Sequence, residues 1–119
     1  AQKLQKKVAK VGFDWPSIHG VIDKVEEELA EVKEAISENN PEHIEEEVGD
    51  LLFSIVNLSR FLKLDTENVL HKTIYKFVER FKKMEMALAS MGKDIEKCTL
   101  EEMDAIWNKV KKEAAPPKR

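Results

Sequence analysis

Ile44-Glu45-Glu46-Glu47-Val48-Gly49-Asp50-Leu51-Leu52-Phe53-Ser54-Ile55-Val56 is the stretch that settles the fold class. Its apolar residues do not alternate as a half-buried strand would. Together with Leu58 and Leu62 they fill a wide arc of a helix from about Glu42 to Leu62, with Phe53 outside the arc. An arc that wide predicts burial on more than one side, which makes this the central helix of the chain. Glu47 and Asp50 interrupt it at one edge, where an unpaired charge is costly to bury.

Working outward, Asn39-Asn40-Pro41 is a turn, and the helix before it starts with Ser17 as N-cap and runs to about Ser37. Its apolar stripe is Ile18, Val21, Ile22, Val25, Leu29, Val32 and Ile36. Ahead of it, Leu4, Val8 and Val11 mark a short amphipathic helix that Gly12-Phe13-Asp14-Trp15-Pro16 breaks. Downstream, Asp65 caps a fourth helix that Gly92 stops. Thr99 with Glu102 is a capping box for a last helix carrying Met103, Ile106, Trp107 and Val110. The expectation is an all-α domain over 1–113, a four-helix bundle with a short extra N-terminal helix, followed by a flexible C-terminal tail at 114–119.

The chain has 119 residues, a net charge of −3 and one cysteine, Cys98. That balance excludes a basic nucleic-acid surface and an intrachain disulfide, and no apolar run approaches the ~20 residues of a membrane span. A cytoplasmic setting follows as the expectation. The chain opens directly on a helical pattern without methionine, and reads as a domain of a longer protein.

Acidic residues concentrate between Glu26 and Asp50. At about 100° per residue, Lys24, Glu28 and Glu31 border one edge of the second helix's stripe. Glu47 lies at the edge of the third helix's arc with Asp50, His43 and Ser54 just beyond, and Lys76 and Arg80 border the apolar face of the fourth. Acidic runs are by default solvated faces, and 23 acids place some pairs three apart by chance. Two details favour a site: the acids break the most apolar helix, and Gly49 leaves room for close approach of a helix or ligand. Oxygen-only ligands select Mg²⁺ or Mn²⁺ over zinc.

Other chemistries are absent. No glutamate stands three residues before His19, His43 or His71, so the ferritin-like di-iron pattern fails. No zinc-protease, EF-hand or phosphate-loop motif is present. The three histidines read as surface residues, and Trp15 and Trp107 as core or seam aromatics. Carboxylate-held magnesium beside a Lys and an Arg is suited to attack on a phosphate ester or anhydride. Lys76 and Arg80 would steady the departing phosphates, and Glu27 is the candidate for positioning or deprotonating water.

Glu27-Glu28-x-x-Glu31, fifteen residues, then Glu47-x-x-Asp50 resembles the E-E-x-x-E…E-x-x-D signature of the MazG-type all-α nucleoside triphosphate pyrophosphohydrolases. Gly12-Phe13-Asp14-Trp15, Lys24-Val25, Gly49-Asp50-Leu51-Leu52-Phe53, Lys76-Phe77-x-x-Arg80-Phe81 and Ile106-Trp107 extend the likeness to the C-terminal domain of tandem bacterial MazG proteins. The resemblance implies Mg²⁺-dependent hydrolysis of a nucleoside triphosphate to monophosphate and pyrophosphate, a nucleotide-pool housekeeping activity, with Mn²⁺ able to substitute. It implies that Glu28, Glu31, Glu47 and Asp50 hold the metal, that Lys24, Lys76, Arg80 and Trp107 contact the nucleotide, and that the domain is a homodimer. It also implies an N-terminal MazG domain elsewhere in the protein. The rival reading is a non-catalytic dimerising helical module of such a tandem protein.

Overall fold

Asn39 and Asn40 divide the work of the turn that joins the two helices at the heart of the chain. Asn39 closes α2 (Ile18–Glu38) in the left-handed conformation, at φ 56°, and its N–H donates to the Ile36 carbonyl. Asn40 opens α3 (Pro41–Phe61): its side-chain oxygen accepts from the Glu42 and His43 N–H groups at 3.1 and 3.3 Å. Pro41 occupies the first helical position, where its missing N–H costs nothing. Ser17 sits at the N-cap of α2 as expected, but its hydroxyl makes no capping bond.

The computed structural model describes residues 1–113, and the expected tail at 114–119 lies outside them. Every regular element among the described residues is helical, as expected: α1 (Gln2–Lys10), α2, α3, α4 (Thr66–Ser90), a 3₁₀ turn at Ile95–Lys97 and α5 (Leu100–Glu113). The chain forms two compact units, Ala1–Val69 and Leu70–Arg119.

In the first unit α2 and α3 make the most extensive helix contact, and α1 rests on α3. Val21, Val32 and Ala35 of α2 are buried, with Ser54 from α3. α1 departs from its expected pattern. Leu4 and Val11 are exposed, and the buried residue is Gln5. Its Nε2 donates to the Phe53 carbonyl at 2.9 Å. Gln2 donates to the Leu64 carbonyl at 2.7 Å and accepts from the Thr66 N–H at 2.8 Å. Amide hydrogen bonds, more than an apolar stripe, tie this helix down.

The expected burial of α3 on more than one side is also not met within the chain. Val48, Leu52, Ile55 and Leu62 remain exposed among the described residues, as do Ile22, Leu29 and Ile36 of α2, while Phe53, outside the arc, is exposed as expected. The arc is as wide as the sequence indicates, but part of it faces outward.

In the second unit Met84, Leu88 and Val110 are buried. Phe77 pairs with Phe81 at a centroid distance of 6.3 Å and with Trp107 at 5.1 Å. Gly92, at φ 72°, turns the chain after α4 while the Lys93 N–H bonds back to the Leu88 carbonyl. The capping box forms: the Glu102 N–H donates to Thr99 Oγ1 at 3.1 Å and the Thr99 N–H to Glu102 Oε1 at 3.3 Å.

Asn40→Ala removes the acceptor for two helix-start donors, and we expect it to lower unfolding free energy by about 1 kcal/mol. Urea denaturation measures this, and an unchanged midpoint would contradict the capping role.

Candidate metal and phosphate site

Side-by-side packing of α2 and α3 brings acids from both helices to one place. One carboxylate oxygen from each of Glu28, Glu47 and Asp50 lies within 4.8 Å of the other two. Glu28 is 5 % exposed, and the Glu47 side chain is largely covered. Lys24 Nζ contacts Glu28 Oε1 at 2.9 Å and Glu27 Oε1 at 3.5 Å. The other oxygens of the pair, Glu28 Oε2 and Glu47 Oε2, are buried with no partner among the described residues. A buried carboxylate oxygen left unpaired is unfavourable, and a small hard cation is the group that would satisfy two at once. The donor set therefore fits Mg²⁺ or Mn²⁺.

Proton equilibria tell the same story. Glu31 is pushed up to about 7 first by the neighbouring Glu47 carboxylate and then by that of Glu28, with desolvation adding to it. Clustered carboxylates cannot all ionise without compensation, so a proton stands in where a cation would otherwise sit. Glu28 is pulled below the usual carboxylate range, chiefly by its bond to Lys24, against the opposing effect of burial. Lys24 is raised in turn, mainly by Glu28.

The remaining expected residues fall as follows. Glu27 is exposed, and Lys24 is its ion-pair contact. Glu31 lies beside Glu28 and Glu47 but outside the three-carboxylate group. Lys76, Arg80 and Trp107 belong to the second unit. Lys76 is exposed, the Arg80 Nε is buried without a partner among the described residues, and Trp107 is half-buried against Phe77. At Gly49 there is open space: a Cβ would meet nothing within 4 Å among the described residues, so no described helix packs closely there.

His43, read from the sequence as a surface residue, bridges two carboxylates. Its Nδ1 is 2.9 Å from Glu38 Oε2 and its Nε2 is 3.3 Å from Glu47 Oε1. The interaction with Glu38, more than that with Glu47, raises its pKa. The one-turn spacing from His43 to Glu47 was the available signal.

A cleft of about 680 Å³ opens from the carboxylates within the first unit. Lys24, Glu28 and Asp50 border one part of it, and Gln5, Trp15 and Arg60 are among its other walls. The Arg60 guanidinium donates to Asp14 at 2.6 and 3.2 Å and to Asn57 Oδ1 at 2.8 and 3.0 Å. That bond to Arg60 is the main reason the Asp14 carboxyl lies below its ordinary range. Sequence patterning did not single out Gln5, Asn57 or Arg60.

Paired helices thus bring an oxygen-only carboxylate cluster, one that could hold a metal ion, beside a lysine in an all-α protein. The chain belongs to the MazG nucleotide pyrophosphohydrolase domain family, whose model matches residues 17–85. It is 51 % identical over 111 residues to the nucleoside triphosphate pyrophosphohydrolase/pyrophosphatase MazG of Thermotoga maritima, covering 93 % of this chain and 42 % of that protein. It is 42 % identical over 117 residues to the nucleoside triphosphate pyrophosphohydrolase of Escherichia coli K12, covering 95 % and 44 %. An uncharacterised Bacillus subtilis protein, YabN, is 42 % identical over 76 residues, 63 % of this chain and 16 % of that one. The chain thus spans less than half the length of these relatives.

The raised pKa of Glu31 fixes a sign. Its folded value lies above the unfolded one, so between about pH 4.5 and 7 the folded state holds more of the proton. Stability of the metal-free protein should fall as pH rises through this window. Millimolar Mg²⁺ should raise the melting temperature more at pH 8 than at pH 5.5. Thermal melts with and without Mg²⁺ measure this, and an Mg²⁺ shift independent of pH would contradict the shared-proton arrangement.

Proposed function

We propose that this domain hydrolyses nucleoside triphosphates to the monophosphate and pyrophosphate in a Mg²⁺-dependent reaction, with Mn²⁺ able to replace Mg²⁺. The observation that carries the reading is the pair of buried, partnerless oxygens on Glu28 and Glu47 within a three-carboxylate cluster. Glu28, Glu47 and Asp50 hold the cation, and Glu31 joins them on losing its proton. Bound there, the cation supplies positive charge against the triphosphate and acidifies the attacking water.

The protein's own groups do the rest. Lys24, already fixed between Glu27 and Glu28, meets an incoming phosphate oxygen without large rearrangement. Glu27, exposed and outside the cluster, is free to orient water towards the α-phosphorus and take its proton. Lys76 and Arg80 contact the phosphates and Trp107 the nucleotide. The partnerless Nε of Arg80 supports that assignment, since a buried guanidinium N–H calls for an acceptor. The proposed setting for this activity is housekeeping of the nucleotide pool in the cytoplasm.

The domain acts as a homodimer. Support comes from the exposed apolar residues of α3, among them Leu52 at 59 % and Ile55 at 44 %, on a helix whose sequence calls for wider burial. Sedimentation velocity at micromolar concentration should give a mass of two chains, and a monomer would overturn the assignment.

Phosphorus NMR of a triphosphate incubated with Mg²⁺ should show monophosphate and pyrophosphate as first products. In ¹⁸O-water the label should enter the monophosphate. Orthophosphate as first product would remove the pyrophosphohydrolase reading, and no turnover of any triphosphate would leave the second one, a non-catalytic dimerising module. Glu47→Gln should cut turnover by at least about 100-fold, since even indirect metal partners cost 10–100-fold, while the helical signal stays unchanged. An active variant would take Glu47 out of the ligand set.

A further inference from the structure

We propose that the Gln5–Trp15 side of the cleft in the first unit seats the nucleoside base, with the Gln5 carbonyl oxygen accepting an N–H from the base's Watson–Crick edge. The assignment rests on the proposed function for the identity of the substrate, but its geometry is independent of the carboxylates.

Gln5 is 4 % exposed. Its Nε2 donates to the Phe53 carbonyl at 2.9 Å, which fixes the amide's orientation, because the reversed amide would set oxygen against oxygen. Oε1 is left buried with no partner among the described residues. Native chains seldom bury an acceptor in this way without a role for it. Gln5 lines the same cleft as Glu28 and Asp50.

The aromatic wall is held with equal care. Asp14 accepts two bonds from Arg60, and its Oδ1 also accepts the backbone N–H of Trp15 at 2.8 Å. The Trp15 ring lies on Gly20 of α2, where an added Cβ would stand 3.0 Å from it. This accounts for Gly12-Phe13-Asp14-Trp15, a motif the phosphate chemistry leaves without a role. Leu4 and Val8 complete an apolar surface on that side.

The cleft therefore has charged groups along one part and a fixed indole, aliphatic side chains and one bare acceptor along another. Its volume of about 680 Å³ falls in the ordinary range for small-molecule sites. The occupant with matching chemistry is a planar heteroaromatic ring carrying an N–H donor and joined to a polyphosphate. All the common bases present such a donor, so a single amide oxygen holds the base without choosing sharply among them. Broad base tolerance follows.

Calorimetric titration with Mg²⁺ and an α,β-imido nucleoside triphosphate tests the assignment on the intact chain. The companion ligand is the corresponding ribose 5-triphosphate analogue, which lacks a base. Gln5→Met and Trp15→Leu should each weaken nucleotide binding about tenfold and move the base-less ligand less than twofold. Because the two residues sit on different elements, loss of fold in one variant leaves the other as a test, and ligand-free melts identify which has occurred. Unchanged nucleotide affinity in the folded variants, or equal losses for both ligands, would overturn the proposal. Turnover separates it from the reading beneath it. Base-dependent binding without pyrophosphate release defeats the proposed function and leaves the base seat standing. Pyrophosphate release with unaltered nucleotide affinity in both variants does the reverse.

Discussion

Three carboxylates from two helices crowd within a few ångströms, and the mutual repulsion of those charges is the constraint to which the first unit answers. Folding α2 against α3 is favourable for Val21, Val32 and Ala35, yet the same contact forces Glu28 towards Glu47 and Asp50. The chain offsets this locally. Lys24 neutralises one oxygen of Glu28, His43 contacts one of Glu47, and Glu31 keeps a proton up to about neutrality. What these groups leave is two buried oxygens, Glu28 Oε2 and Glu47 Oε2, without a partner among the described residues, and there the proposed cation would sit. Apolar residues could have packed the same seam at lower cost, so the cluster is weak evidence of stability.

Much of this was legible in the sequence because it is local. The Asn39-Asn40-Pro41 turn, the Thr99–Glu102 capping box and the stop at Gly92 each depend on residues within a few positions of one another, and each forms. Periodicity placed Glu28, Glu47 and Asp50 at helix edges, which brought them together once α2 met α3. Periodicity failed where a polar side chain found a distant partner. Nothing near Gln5 announces that it will be buried against the carbonyl of Phe53, nor that Arg60 will clasp Asp14 across 46 residues. Gly49 marks room, and a missing side chain does not say what fills it.

The width of the apolar arc on α3 was a sound reading with an incomplete consequence. Amphipathicity reports how much of a helix prefers not to face water, and is silent about whether the covering surface comes from the same chain. Leu52 and Ile55 show the distinction: their spacing is that of core residues and their exposure is not.

The manner in which α1 is attached has a consequence for the order of events in folding. α2 and α3 are joined by a two-residue turn, so their contact closes a short loop and can form early. α1 is held by glutamine amides to Phe53, Leu64 and Thr66, groups 48 to 64 residues away, with few buried apolar contacts of its own. It is therefore the part of the first unit that docks late and opens at the lowest free energy. Amide-hydrogen exchange should be faster along α1 than along α2, and equal protection would refute this order. The helix that supplies one wall of the cleft is thus the least firmly anchored, which would give the proposed substrate a route in and its product a route out.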